Sequence, residues 1–245
     1  MNLREIVLQG GAAFEEERFQ ALIGAHHYLR ALPKIGHTLW YVATCNGEWL
    51  ALLSFSAAAW KCAARDTWIG WDFRRQYDRL HLIANNSRFL ILPEHHVAKL
   101  ASRVLALSVR RLAQDWRERF GYPLLLLEAF VDPQRFHGMI YRAANWRYVG
   151  NTHGYRRTRH GYSTAQRSAK RVFVRPLHAH AQACLSRPIL DPQYRHGAPK
   201  IMLSVDQVVS LPGLFAEIPD PRRGQGRRHP LPAVLAIAAG ATLCG

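Results

Sequence analysis

At 245 residues, 49% of them hydrophobic, the chain can bury one substantial α/β core plus an appendage, and this composition excludes disorder throughout. The formal net charge of +16 is unevenly placed: eleven Lys and Arg and no acidic residue fall between Asp132 and Asp191, which is the footprint of a polyanion partner or, in the blander case, a solvated basic face. Cys45, Cys62, Cys184 and Cys244 make neither a C-x-x-C pair nor a disulfide framework, which excludes a zinc knuckle and points to a reducing cytoplasm. The amino end mixes charges into its apolar residues and the apolar stretch 231–245 is too short to span a bilayer, so neither a signal peptide nor a membrane role is expected.

Residues 14–32 read as a helix leading into a loop, with Glu15, Glu16 and Glu17 where the helix dipole favours carboxylates. Strand-like runs over 38–44 and 49–55 flank Cys45-Asn46-Gly47-Glu48, and Asn-Gly in that setting predicts a hairpin. Residues 60–78 are aromatic and charged, irregular or helical, and a strand over 86–92 is stopped by Pro93. From Val97 onward Leu100, Ala101, Val104, Leu105, Leu112 and Trp116 recur at helical spacing, giving an amphipathic helix of about five turns. After Pro123 the nearly unbroken apolar run 124–131 belongs in the middle of a parallel sheet, so strand, long helix and strand form a right-handed crossover. A turn, a short helix and a strand reach Gly150, and a basic stretch to about Lys170 precedes a strand over 171–177. Pro188, Pro192 and Pro199 mark a linker, so the expected organisation is a core over 1–178, a linker over 179–202 and a separate segment over 203–245.

Several residues can carry chemistry. Tyr141, one turn before the end of a short helix, can point into a cleft as an acid, or be a packed core residue. Asp132 follows the apolar strand at its carboxyl end, where ligands of open α/β sheets sit; it can act as a base or orient an amine, or cap the loop as an Asx-turn. Val97, Ser102 and Arg103 open the long helix, whose free N–H groups attract phosphate oxygens, although 94–99 contains no glycine to let backbone approach a diphosphate. His27 and Tyr28, with His26 before them, offer acid, base or substrate groups, and no third ligand is spaced to complete a metal site. Trp60, Trp68, Trp71 and Phe73 among Lys61, Arg65, Arg74 and Arg75 suggest a clamp for a flipped base, or core aromatics. Asn86, Arg88, Arg142, Asn145, Trp146, Arg156, Arg157 and Arg159 are the candidate substrate or DNA contacts.

HHYL at 26–29, WLALLSFSAAAW at 49–60, RDTWIGW at 65–71, LHLIANNSRFLILP at 80–93, LASRVL at 100–105 and LLEAFVDPQRFHGMIYRAANW at 126–146 together resemble the DruA-type domain of the Druantia anti-phage system, over roughly residues 20–178. The order helix, strand, turn, short helix, strand over 100–150, with Tyr141-Arg-Ala-Ala-Asn145-Trp146 spaced like a Y-x-x-x-G-F element, is similar to the core of N-acyltransferases (GNAT). That likeness implies an α/β fold with a GNAT-like mixed sheet and flanking helices, two splayed parallel strands around a cofactor such as acetyl-CoA or another acyl-CoA, Asn145 as a left-handed cap and Tyr141 as the acid for a departing thiolate. The glycine-free stretch 94–99 departs from the Gly-rich loop of those enzymes. A more distant similarity, to phage Mom proteins that place an acyl-type group on adenine in DNA, implies roles for Ser102, Asp132 and Tyr141, and for His27 and Tyr28 as a His-Tyr pair. Residues 214–245 resemble the amino-terminal domain of H-repeat-associated DDE transposases through IPDPR and RRHPL. This resemblance implies a truncated helical domain, partners among DNA, transposase and defence-system proteins, a bacterial cytoplasm, and an apolar helix over 231–245 that packs poorly or pairs with another chain. Three functions follow as expectations: a Mom-like transferase on DNA bases, a non-catalytic DNA-binding accessory module, or an inactive fragment.

Overall fold

The computed structural model describes residues 2–32, 36–71, 75, 78–154, 157–158, 161–162, 169–195, 205–222 and 228–244. The chain forms two compact units, Met1–Arg195 and His196–Gly245.

The first unit is built on local signals that the backbone obeys closely. Strands β2 (Thr38–Cys45) and β3 (Glu48–Ala57) pair through Cys45 and Glu48, leaving a two-residue turn in which Asn46 and Gly47 both take positive φ, 51° and 83°. Such a turn twists with the strands it joins, which is why Asn-Gly is favoured there. The long helix α3 (Leu100–Phe120) buries Leu100, Val104, Leu105, Ser108, Leu112 and Trp116 along one stripe and ends at Gly121. A four-residue strand, β1 (Val7–Gly10), adds antiparallel to β2; so short a segment carries no periodic signal of its own.

Strand β4 (Ile83–Ile91) is antiparallel to β3 and parallel to β5 (Leu126–Val131), with α3 as the crossover between them. The parallel pairing lasts for three residues only, Ile83 to Asn85 against Leu126 to Glu128. Beyond them the two strands diverge, β4 for six residues and β5 for three. After β5, helix α4 (Met139–Ala143) leads to β6 (Arg147–Asn151), the short hairpin β7 (Arg157–Thr158) and β8 (Gly161–Tyr162), and then β9 (Arg171–Pro176). Strand β9 inserts between β5 and β6, so the seven-stranded order is β1-β2-β3-β4-β5-β9-β6. This is the GNAT-like mixed sheet with flanking helices.

Three layers result. On one face α3, Tyr141 of α4 and Ala144, the residue that caps it, share a core with Tyr41, Phe55, Ala84, Leu127 and Phe173. On the other, α1 (Glu16–His26) buries Phe19 and Ile23 against Val42 and Leu52, while α2 (Ala63–Ile69) and α5 (Ala181–Ser186) bury Ile69, Ala181 and Leu185 beside Leu126 and Val174. The first unit therefore extends to Arg195 where a boundary at 178 was expected: Ala181, Leu185 and Leu190 are core residues, and Trp71 donates its indole N–H to Leu185 O at 2.6 Å. Periodicity over a six-residue helix is too brief to separate it from a linker.

The second unit contains α6 (Val205–Leu214) and α7 (Leu231–Cys244), which pack against each other with Leu211 and Ala236 buried. Arg222 closes a bidentate pair on Asp220 at 2.8 and 2.9 Å and donates to His229 O, organising the Ile-Pro-Asp-Pro-Arg connection. Ile237 on α7 stays 74% exposed. Among the described residues no helix is long and apolar enough to cross a membrane.

Candidate functional site

The divergence of β4 from β5 creates the site, and a bulge in β4 furnishes it. Ser54 opposes Arg88 and Phe55 opposes Asn86, leaving Ser87 unopposed. In a regular strand residues two apart share a face; the extra residue puts Asn86 on the α3–α4 face with Phe55 and turns Arg88 to the face of α1. Each then finds partners of its own. Asn86 accepts the Tyr141 hydroxyl at 2.8 Å and donates its Nδ2 to Ser54 O and Arg88 O, both at 3.0 Å. Arg88 donates to Arg30 O at 3.0 Å, Ala31 O at 3.0 Å, Leu29 O at 3.3 Å and Ser87 O at 2.7 Å.

Arg88 therefore clamps the loop after α1 that carries His27 and Tyr28. His27 accepts the Leu29 N–H on Nδ1 at 3.1 Å, which leaves the proton of its neutral ring on Nε2. Burial, with the Arg88 charge adding to it, lowers the His27 pKa to about 4. At neutral pH His27 is an N–H donor and a weak base. Its ring lies 4.9 Å from that of Tyr28, whose hydroxyl is pushed up by burial and then by Asp132, with Arg88 and Arg135 opposing.

Asp132 lies just beyond β5. Its Oδ1 accepts the Gln134 N–H at 3.0 Å and its carbonyl accepts the N–H groups of Arg135 and Phe136, so the Asx-turn is real. Its Oδ2 stands a loose 3.9 Å from Arg135 Nε, and this oxygen is free to meet a ligand's donor. The turn hands the chain to Gly138, the N-cap of α4 at φ 76°; a Cβ there would sit 2.6 Å from the Phe173 ring, so glycine is needed on both counts. Helix α4 closes with Asn145 at φ 61°, Trp146 N–H on Tyr141 O at 2.8 Å and Asn145 N–H on Arg142 O at 3.0 Å, the bonds of a Schellman cap. The rings of Tyr141 and Trp146, 5.1 Å apart, form the apolar contact that accompanies it. Tyr141 is 8% exposed and stacks on Phe173; burial, with a contribution from Tyr28, holds its hydroxyl protonated well above the ordinary tyrosine range.

The structure thus brings His27 and Tyr28, from the loop after α1, near Asp132 and Tyr141, from the β5–α4 connection, where β4 and β5 part. Other expectations are corrected. Trp146 is 4% exposed and part of the core, so it offers no face to a base; Asn86 is buried on Tyr141, while Arg88, half-buried, holds the loop after α1. Arg142 is exposed and lies over Tyr148 at 6.0 Å, while Asn145 gives its carbonyl to Arg175 at 2.7 Å. Arg156 and Arg159 lie outside the described residues, as does the side chain of Arg157.

At the start of α3, Ser102 donates to Lys99 O at 3.1 Å and Arg103 Nε donates to Leu3 O at 3.3 Å. Each makes one bond to a backbone carbonyl, and both side chains remain partly exposed. Val97 is exposed, and Lys99, not glycine, takes φ 66° at the N-cap. Two members of the aromatic clamp are taken into the core: Trp71 is buried, and Arg65, completely buried, pairs with Glu128 at 2.9 Å and Asp66 at 2.8 Å; Trp60 and Lys61 are exposed, and Phe73 and Arg74 lie outside the described residues. Sequence reasoning missed that ion pair, and it missed Arg135 and Phe136, because their partners are far away in the chain. Among the described residues no cluster of three metal-ligating side chains occurs.

The family model described as Druantia protein DruA matches residues 5–184. No curated protein matches the chain. Among solved structures, aminoglycoside acetyltransferase AAC(6')-Ib in complex with coenzyme A and kanamycin matches at 12% identity and TM-score 0.47, covering 72% of this chain and 96% of that one. Spermidine N-acetyltransferase from Vibrio cholerae in complex with CoA and spermine matches at 8% and 0.45, covering 71% and 96%. The ribosomal-protein-S18-alanine N-acetyltransferase from Escherichia coli matches at 11% and 0.43, covering 70% and 94%. At such scores the architecture rests on strand order and the splayed parallel pair.

Proposed function

The chain belongs to the Druantia protein DruA family, and from that premise we propose that it is a DNA-acting protein of anti-phage defence whose β4–β5 cleft carries acyl-type transfer to an amine of a DNA base. The observation that supports this most is the convergence of Asp132, Tyr141 and the His27–Tyr28 turn at the end of the parallel pair, where open sheets bind ligands. Beyond Asn85 and Glu128 the facing edges of β4 and β5 are no longer paired to each other, which suits an extended acyl thioester arm, whereas the glycine-free turn before α3, capped by Lys99, gives a diphosphate no close backbone approach. An acyl thioester held there would supply the activated carbonyl. The chain's own groups divide the proton work. Asp132 Oδ2 takes the proton from the attacking amine as the N–C bond forms. Tyr141, protonated and aligned by Asn86, holds the proton for the departing sulfur as the C–S bond breaks. His27, neutral with its proton on Nε2, orients by donating and does not act as the base.

A second reading, a DNA-binding accessory module without catalysis, is favoured by the glycine-free turn before α3. Intact-mass analysis of nucleosides from cells expressing the full chain separates the two. A new mass that vanishes in the Asp132→Asn, Tyr141→Phe variant supports transfer and identifies the group. No new mass, with DNA binding retained, supports the module. For either, DNA affinity should fall with salt at a log–log slope near about −0.9 per phosphate contact on duplex DNA.

A further inference from the structure

We propose that the mouth of this cleft is a stacking site for an unpaired nucleobase, with Phe136 as the exposed platform, Tyr28 behind it and Arg135 for a neighbouring phosphate. The proposal rests on the DNA-acting reading above and goes beyond it by naming the form in which the substrate is taken.

Phe136 is 51% exposed although it touches another aromatic ring: its centroid lies 5.6 Å from that of Tyr28, at 56°. The turn enforces this placement, because the Phe136 N–H is fixed to Asp132 O at 2.9 Å. Arg135 sits with its guanidinium carbon 5.4 Å from the Tyr28 centroid while 60% of its side chain remains exposed. His27 backs Tyr28 at 4.9 Å, so the Tyr28 ring is covered by neighbours and Phe136 carries the free aromatic surface. Leu29 and Met139, on the same two segments, are 42% and 64% exposed.

An apolar patch alone has no defined occupant; the charge supplies one. The chain carries +16, and 133–190 contains no acidic residue, which favours a polyanion over an apolar peptide. Aromatic faces beside arginines bind single strands because every base has a π-face, whereas in a duplex those faces are occupied by stacked neighbours. The Asp132 carboxylate, loosely held by Arg135, adds an acceptor for an exocyclic amine, so adenine, cytosine and guanine should be preferred to thymine.

The test is binding of the full chain to a short labelled DNA strand, the matched duplex and the RNA strand of equal length, at one salt concentration. Tighter binding of the strand than of the duplex is expected. Phe136→Ala should weaken strand binding by about 5- to 100-fold, the range of a lost stacking partner, with duplex binding unchanged. Phe136→Trp should restore it, and because Phe136 is half exposed the fold should tolerate both. Equal binding of strand and duplex, or strand binding indifferent to Phe136→Ala, overturns the platform and leaves the DNA-acting reading standing. No binding to any of the three overturns both. An RNA strand bound in preference to DNA, with the same Phe136 dependence, supports the platform and overturns only the DNA reading.

Discussion

The two faces of the β4–β5 pair bury polar groups in different ways. On the α2 face Glu128 meets Arg65, whose guanidinium donates to Glu128, to Asp66 and to Trp60 O, with no accessible surface left. Burial pushes the Glu128 carboxyl up and Arg65 pulls it down, while the two carboxylates more than offset the cost of burying Arg65 and keep it charged. On the α4 face Asn86 and Tyr141 form a neutral pair, itself buried, with Tyr28 near enough to help hold the Tyr141 hydroxyl protonated. The charged cluster is closed by its own partners and has nothing left for a ligand. The neutral pair lies where β4 leaves β5, and Tyr28 stands between it and the Asp132 carboxylate in the chain of electrostatic neighbours. Both pairs are buried, and charge separates them: one face balances a guanidinium against two carboxylates, the other joins two neutral groups by a single hydrogen bond.

The sharpest way to break this contrast is Arg65→Met, which strands Glu128 and Asp66 in the core. A loss of about 3–5 kcal/mol is expected from denaturant midpoints, largely recovered in Arg65→Met, Glu128→Met. A small loss, under about 1 kcal/mol, would show that the cluster is hydrated and not a closed brace. Tyr141→Phe removes one donor and leaves Asn86 Oδ1 unsatisfied, so about 1–3 kcal/mol should be lost, with the neighbouring ring contacts kept. The pH dependence of stability tests the other end of the site. Because His27 is held near 4, below its ordinary 6.5, the unfolded chain takes up the proton first: stability should be full above about 6.5 and decline as pH falls toward 4. His27→Gln should remove that part of the decline in urea midpoints measured at both ends of the range. Smallest of all, Asn145→Gly should change stability by only a few tenths of a kcal/mol, since the left-handed cap suits glycine, whereas Asn145→Val should cost about 1–2 kcal/mol.

Features whose cause is local were legible from residue order. Asn46-Gly47 specified the hairpin turn, the apolar spacing from Leu100 to Trp116 specified the face of α3, and Asn145 specified the left-handed cap. Tyr141 and Asp132 were recognisable as candidates because Asp132 follows the apolar strand directly and Tyr141 precedes the helix cap by one turn. Trp146 was misread because aromaticity in a sequence does not disclose burial. Trp146 packs in a helix cap and Arg88 donates to four carbonyls, partners that exist only after folding.

What the sequence determined by itself was the α/β class and the crossover through α3, since these follow from periodicity and residue chemistry within a few turns of chain. The tertiary structure alone decided that β9 would enter between β5 and β6, that one bulged residue, Ser87, would send Asn86 and Arg88 to opposite faces, and that Tyr28 would meet Phe136 and Asp132. Each of these depends on contacts between segments many residues apart, where register and packing, not local preference, select the neighbour.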